Sequence, residues 1–277
     1  MKRLIWVGVL VLLLGNRAYA AIHTERIDYK DEDVALEGYI AYDDKTPDIR
    51  PGILIVHEWT GLGPYAKRRA EQLAKLGYTA FAVDMYGKDV RPKNHEEAAK
   101  VSGIYRSDRQ LMRKRIQAAL AVFGLIPTVD AERIAAIGYC FGGTTVLELA
   151  RSGAAILGVA SFHGGLDTPN PADAKNIKAR VIVFHGADDK FVTQEQVAAF
   201  ESEMKAANAD YKLIQYPGAV HSFTVPEAGN DPSTGMAYNQ KADEASWKEL
   251  EKFLREIFAQ PRTMHATTEP SVGQQGT

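Results

Sequence analysis

The one cysteine of the chain stands where a nucleophile could act, because Cys140 is flanked by Gly138 and Gly142 in a Gly-x-Cys-x-Gly pattern. An apolar run precedes the pattern, and residues 144–151, which have helical periodicity, follow it. This arrangement is typical of a nucleophile elbow, with sulfur in place of the serine oxygen. The turn is cramped, so a side chain at either flanking position would collide with it. The start of the following helix favours negative charge and hence a thiolate.

The first 20 residues predict an export signal. Lys2 and Arg3 precede an apolar run at 4–14, and Ala18 and Ala20 fit an Ala-x-Ala cleavage site. The apolar run is too short to cross a bilayer. We therefore expect cleavage after Ala20 and a periplasmic or secreted protein that has no membrane partner after cleavage. The alternative is an uncleaved N-terminal anchor.

A single cysteine in an exported chain cannot form an intramolecular disulfide, and its unpaired thiol is at risk of oxidation. Cys140 is therefore more easily explained by chemistry than by packing. The alternative is a cysteine that is buried deeply enough to be inert.

The composition is that of an ordinary globular protein: 277 residues, 45% hydrophobic and 25% charged, with a net charge of −2. Nothing in this charge favours a nucleic-acid partner. Segments typical of strands alternate with helical segments, which predicts one α/β domain over residues 21–259, with a mostly parallel central sheet and helices on both faces. Residues 24–29 and 34–42 predict an antiparallel hairpin at the sheet edge. Residues 260–277 are rich in Gln, Thr, Gly and Pro and predict a disordered tail.

Candidate partners of Cys140 follow other predicted strands. Asp188 and Asp189 follow the strand at 181–185, and His221 follows the last strand. Because ligands of such sheets bind at the carboxyl ends of the strands, these residues are expected to meet there. The order nucleophile, acid, histidine matches that of the elbow fold. His221 would accept the Cys140 proton or hold the thiolate as an ion pair, and one of the two aspartates would orient His221.

The backbone amides of Phe141 and Trp59 are the expected oxyanion hole. Phe141 follows the nucleophile, and Trp59 lies just after the predicted strand at 52–57. Glu58, beside Trp59, is expected to lie close to the reacting groups, although a solvated loop residue is the alternative.

The remaining histidines at strand ends have a simpler explanation. His57, His163 and His185 are expected to satisfy backbone groups rather than to act in catalysis. The His-Glu pair at 57–58 does not continue to His-Glu-x-x-His, and no cluster has metal-ligand spacing. We therefore expect neither a metal nor a cofactor.

In combination, four motifs resemble the dienelactone hydrolase (carboxymethylenebutenolidase-like) family of α/β-hydrolases over residues 25–258. They are Val56-His57-Glu58-Trp59-Thr60-Gly61, Ile137-Gly138-Tyr139-Cys140-Phe141-Gly142-Gly143, Gly186-Ala187-Asp188-Asp189-Lys190-Phe191-Val192 and Val220-His221-Ser222-Phe223.

The resemblance implies an α/β-hydrolase fold and hydrolysis of small-molecule esters or lactones through a thioester acyl-enzyme. It also implies a catalytic triad of Cys140, His221 and Asp189, the last favoured over Asp188 by the Asp-x-Phe-Val match. Finally, it implies that Glu58 contacts the resting thiol and helps to activate it.

The chain also departs from the family pattern. The family enzyme that acts on dienelactone holds the substrate carboxylate with arginines, one of them just after His-Ser-Phe, where this chain has Thr224-Val225-Pro226. Arg106, Arg109 and Arg113 are candidates for another such arginine.

Two alternative functions stay open. One is a redox-sensing or non-catalytic thiol protein, and the other is a hydrolase of larger esters with a lid formed by residues 89–94 and 227–235.

Overall fold

The computed structural model describes residues 22–45 and 48–259. The predicted export signal with its cleavage site, and the predicted disordered tail, lie outside these residues. Across the described part of the chain, no helix has the length and apolar character that a membrane span requires.

Eight strands form one sheet in the order β1-β2-β4-β3-β5-β6-β7-β8. The strands are β1 (Ile22–Asp31), β2 (Val34–Asp43), β3 (Arg50–Val56), β4 (Thr79–Val83), β5 (Val129–Tyr139), β6 (Gly158–Phe162), β7 (Arg180–Gly186) and β8 (Tyr211–Tyr216). β1–β2 and β2–β4 are antiparallel, and the other neighbours are parallel. The mostly parallel sheet and the hairpin at its edge are both confirmed.

Helices cover both faces of the sheet, as predicted. They are α1 (Pro64–Lys75), α2 (His95–Ser107), α3 (Arg109–Phe123), α4 (Phe141–Arg151), α5 (Gln194–Ala206) and α6 (Gln240–Phe258). In β3, Leu54 and Val56 pack into the core shared with α3, α4 and α5, whereas Ile53 and Ile55 pack into the core shared with α1 and α6. A strand buried on both faces in this way reads as a continuous apolar run.

β5 begins at Val129, and its pairing with β3 shifts register between Pro51 and Gly52. The candidate site lies at the carboxyl ends of β3, β5, β7 and β8.

Candidate active site

Cys140 lies on the tight turn between β5 and α4 with φ 53° and ψ −112°, a conformation that L-residues rarely adopt. Such strain costs about 1–3 kcal/mol and persists only where the surroundings enforce it. A Cβ on Gly138 would overlap the Gly142 carbonyl, and a Cβ on Gly142 would overlap the carbonyl of Val56. This is the close packing for which the sequence predicted two glycines.

The structure brings Cys140, His221 and Asp189 into one hydrogen-bonded row. His221 Nε2 lies 3.1 Å from Cys140 Sγ, and His221 Nδ1 lies 2.8 Å from Asp189 Oδ2. The other carboxylate oxygen, Asp189 Oδ1, accepts the amides of Phe191 at 2.8 Å and Val192 at 3.1 Å. Asp188 is exposed to solvent. Of the two candidate acids, Asp189 is the one that contacts the histidine.

The electrostatics of His221 favour its charged form. Burial opposes a charge on this ring, but the negative charge of the Cys140 sulfur and the hydrogen bond to Asp189 outweigh burial and raise the pKa of His221 to about 10. At neutral pH His221 can therefore carry a proton on both ring nitrogens beside the Cys140 sulfur.

The backbone amides of Phe141 and Trp59, the two expected oxyanion-hole donors, have no hydrogen-bond acceptor among the described residues. Phe141 is the first residue of α4, so its N–H has no partner within the helix. Among the described residues, neither this amide nor that of Trp59 donates a hydrogen bond. Trp59 lines the same cavity as Cys140 and His221.

The Glu58 carboxyl was expected to contact the thiol, but among the described residues no hydrogen bond joins the two groups. Within the described chain its side chain forms no hydrogen bond, and it lines a separate cavity of about 190 Å³ beside Tyr65 and Glu227. Burial raises the pKa of Glu58 to about 7, and the nearby charge on His221 acts in the opposite direction. The Cys140 sulfur instead contacts His221.

The three histidines expected to bond backbone groups differ in their hydrogen-bond partners. His57 bonds two backbone groups, as expected: the Glu58 carbonyl and the Met85 amide. The expectation was wrong for His163, whose Nε2 lies 2.8 Å from the Thr224 hydroxyl. It was also wrong for His185, neither of whose ring nitrogens has a partner within the described residues. Burial lowers the pKa of each of these three rings.

A buried polar network behind His221 was missed at the level of sequence. Thr224 Oγ1 accepts from Tyr65 Oη at 2.7 Å and also bonds His163, whose ring lies 5.3 Å from that of His221. Arg69 donates to Tyr65 Oη at 3.1 Å. Tyr65 and Thr224 are 159 positions apart, and no local pattern links them. The family enzyme that acts on dienelactone has an arginine just after His-Ser-Phe. Here Thr224 stands at that place and bonds Tyr65 and His163 instead.

A cavity of about 480 Å³ opens onto Cys140. Arg106 and Arg109 line it, whereas Arg113 is held by Glu148 at 2.8 Å and Asp173 at 2.6 Å. No residue of 89–94 or 227–235 lines this cavity, so the predicted lid does not form its wall. Nowhere in the described residues do three His, Cys, Asp or Glu side chains come together as a metal site would require.

The strand order, the elbow and the row of three side chains define an α/β-hydrolase. The sequence profile of the Dienelactone hydrolase family matches residues 36–258. The chain therefore belongs to this family, whose activity is the hydrolysis of ester or lactone substrates.

Individual relatives agree with this assignment. A probable 2-oxo-3-(5-oxofuran-2-ylidene)propanoate lactonase of Bradyrhizobium sp. is 27% identical over 224 residues, which are 77% of this chain and 87% of that protein. A crystal structure of P91, a dienelactone hydrolase-like promiscuous phosphotriesterase from metagenomic libraries, is 38% identical with a TM-score of 0.82 and covers 86% of this chain and 99% of P91. A dienelactone hydrolase-like structure from Klebsiella pneumoniae, 19% identical with a TM-score of 0.76 over 85% of this chain and 99% of that one, shares the fold.

Proposed function

We propose that the protein hydrolyses small esters or lactones through a thioester formed on Cys140. The observation that carries this proposal is the row of contacts from Cys140 Sγ to His221 at 3.1 Å and from His221 to Asp189 at 2.8 Å. A nucleophile, a base and an orienting acid in this order are what acyl transfer requires. The cavity of about 480 Å³ is also of the size that small-molecule sites have.

In the first half-reaction, the Cys140 thiolate attacks the substrate carbonyl carbon and forms a C–S bond. The carbonyl oxygen becomes an oxyanion, which the amides of Phe141 and Trp59 stabilise. Collapse of this intermediate breaks the ester C–O bond, and the leaving oxygen takes the proton from His221 Nε2. With a lactone, the leaving hydroxyl stays attached to the acyl group.

In the second half-reaction, His221 removes a proton from water, and the resulting hydroxide attacks the thioester carbonyl. The C–S bond breaks, the carboxylic acid leaves, and the thiolate is restored opposite the His221 imidazolium. Asp189 stabilises this imidazolium and, in the neutral ring, keeps the proton on Nδ1. Glu58, whose pKa is raised to about 7, adds negative charge near His221 once it ionises and so favours the ion pair.

Turnover of p-nitrophenyl acetate and of a small lactone tests the proposal. Wild type should hydrolyse both, and Cys140→Ala should hydrolyse neither. Cys140→Ser puts a hydroxyl in place of the thiol. It therefore lacks a thiolate and should be strongly impaired. Equal rates for wild type and Cys140→Ala would overturn the proposal.

Cleavage of phosphotriesters is a second candidate function, because P91 is 38% identical over 86% of this chain. The same thiolate would form an S–P bond and expel an aryloxide, and water would then release the diester from sulfur. A p-nitrophenyl dialkyl phosphate is the suitable probe. Absence of Cys140-dependent nitrophenolate release would exclude this second activity without affecting the first.

The redox-sensor alternative predicts a different outcome. A sensor would show reversible oxidation of Cys140 and no acylation by any ester.

We also propose that the protein acts after export, in the periplasm or outside the cell, as the N-terminal sequence pattern indicates.

A further inference from the structure

Both nitrogens of the buried His57 ring are committed to backbone groups. Nδ1 lies 2.5 Å from the Glu58 carbonyl oxygen, and Nε2 lies 3.2 Å from the Met85 amide nitrogen. Because the Met85 amide is a donor, Nε2 must accept, and the proton therefore sits on Nδ1 and is donated to Glu58. Burial lowers the pKa of His57, which favours the neutral ring, and the two hydrogen bonds set its tautomer.

The Glu58 carbonyl and the Trp59 amide belong to one peptide plane. In a planar trans peptide the C=O and N–H point in opposite directions. The bond from His57 to the carbonyl therefore also fixes the N–H, which points away from the His57 ring. Trp59 lines the cavity that contains Cys140.

Two further hydrogen bonds hold the same turn. The Gly61 amide donates to the Glu58 carbonyl at 3.1 Å, and Tyr86 Oη donates to the Trp59 carbonyl at 2.8 Å. The peptide planes on both sides of Trp59 are thus held from outside the turn, one by the His57 ring and one by the Tyr86 hydroxyl.

His57 also contacts the elbow that supplies the second amide. Its ring stacks on Phe141 with the centroids 5.9 Å apart and the planes 16° from parallel. A Cβ on Gly142 would lie 2.7 Å from the His57 carbonyl oxygen, so the two backbones are in tight contact. One ring therefore packs against the segments that carry both oxyanion-hole amides.

We propose that His57 is a positioning residue of the oxyanion hole: its Nδ1–H holds the Glu58 carbonyl and thereby aims the Trp59 amide at the substrate oxyanion. The inference rests on the proposed thioester mechanism and deepens it. A hydrogen bond weakens steeply as it loses alignment, and loss of one oxyanion-hole donor costs about 100- to 1,000-fold in kcat.

Three substitutions separate the hydrogen bond from the space that the ring fills. In His57→Asn, the side-chain amide nitrogen can take the place of Nδ1 and donate to Glu58. In His57→Gln, the longer side chain reaches the place of Nε2 instead, and His57→Phe fills the space with no polar atom. We expect kcat/KM for a p-nitrophenyl ester to stay within about 10-fold of wild type in the Asn variant and to fall by about 100-fold in the Gln and Phe variants.

Alkylation of Cys140 by iodoacetamide is the matched readout, because attack on a saturated carbon forms no oxyanion. All three variants should be alkylated at the wild-type rate. Tyr86→Phe, which removes only the bond to the Trp59 carbonyl, should show a smaller loss of acylation with the same unchanged alkylation. If the Phe variant does not fold, the Asn and Gln pair still carries the comparison.

Three outcomes would overturn this inference alone: equal loss in the Asn and Gln variants, unchanged ester turnover in all variants, or alkylation that falls together with acylation. Failure of the wild-type protein to acylate Cys140 is a different result. It would overturn the proposed mechanism, and the role of His57 would fall with it.

Discussion

Asp189 uses its two carboxylate oxygens for two different purposes, and only one of them faces His221. Oδ2 lies 2.8 Å from His221 Nδ1, while Oδ1 accepts two backbone amides from the turn that follows. The amides prevent rotation of the carboxylate, so the position of the acid, and through it the orientation of the imidazole, is set by the loop after β7.

Asp189→Asn should lower kcat/KM for small esters by about 100-fold or more, because an amide cannot stabilise the imidazolium as a carboxylate does. Asp188→Asn is the matched control. Its carboxylate is exposed and does not contact His221, so its activity should equal that of wild type. Steady-state kinetics of the two variants make the comparison, and a greater loss in the Asp188 variant would contradict the assignment.

Glu58 should make stability depend on pH between about 4.5 and 7. The folded protein keeps a proton on Glu58 up to about pH 7, whereas the unfolded chain releases it near 4.5. The folded state therefore binds more protons in this window, and the free energy of unfolding falls as pH rises through it. The total loss should be about 1–3 kcal/mol, discounted because the side chain is only partly shielded from water.

Urea unfolding of wild type and Glu58→Gln at pH 4.5 and pH 8 measures this effect. The Gln variant lacks the titration, so its stability relative to wild type should increase with pH. A difference between the two proteins that is the same at both pH values would show that Glu58 does not titrate in this way.

The meeting of Cys140, His221 and Asp189 could be predicted because each stands at a strand end with a local signature. The glycines around Cys140 signal the elbow, and His221 follows the last strand by a short loop. The resemblance favoured Asp189 over Asp188, and the structure gives the physical reason, since the amides of the following turn hold only the second carboxylate.

Other features depend on side-chain directions and distant contacts that no local pattern contains. The Glu58 side chain follows a strand as predicted, yet it lines a separate cavity beside Tyr65 and Glu227. The hydrogen bond from Tyr65 to Thr224 joins α1 to the loop after β8. The shift in register between β3 and β5 is a property of the paired strands and is not visible in either segment alone.

Gly142→Ala should destabilise the fold and abolish activity, because the new Cβ would overlap the Val56 carbonyl and push the elbow away from β3. Overpacking of this kind typically costs about 1–3 kcal/mol. Gly103→Ala is the matched control, since a Cβ there meets no atom within 4 Å and the residue lies inside α2. It should be neutral or slightly stabilising. Thermal unfolding and ester turnover of both variants test this, and a stable, active Gly142→Ala protein would contradict the packing described.

Thr224→Val should lower the free energy of unfolding by about 2–4 kcal/mol, because it leaves the Tyr65 hydroxyl and the His163 ring without their shared partner. Thr224→Ser keeps the hydroxyl and should lose only about 1 kcal/mol for the missing methyl group. Denaturant titrations of the two variants give the comparison. A Val variant that loses no more stability than the Ser variant would mean that the hydrogen-bonded network contributes no more than the methyl group.

The most direct test of the mechanism is rapid-quench mass spectrometry of the intact protein during turnover of a p-nitrophenyl ester. We expect an acyl adduct that forms with the nitrophenolate burst, maps to Cys140, decays with water and is absent from Cys140→Ala. Turnover of the ester by wild type at the same rate as by Cys140→Ala, or an adduct on any residue other than Cys140, would contradict the thioester mechanism.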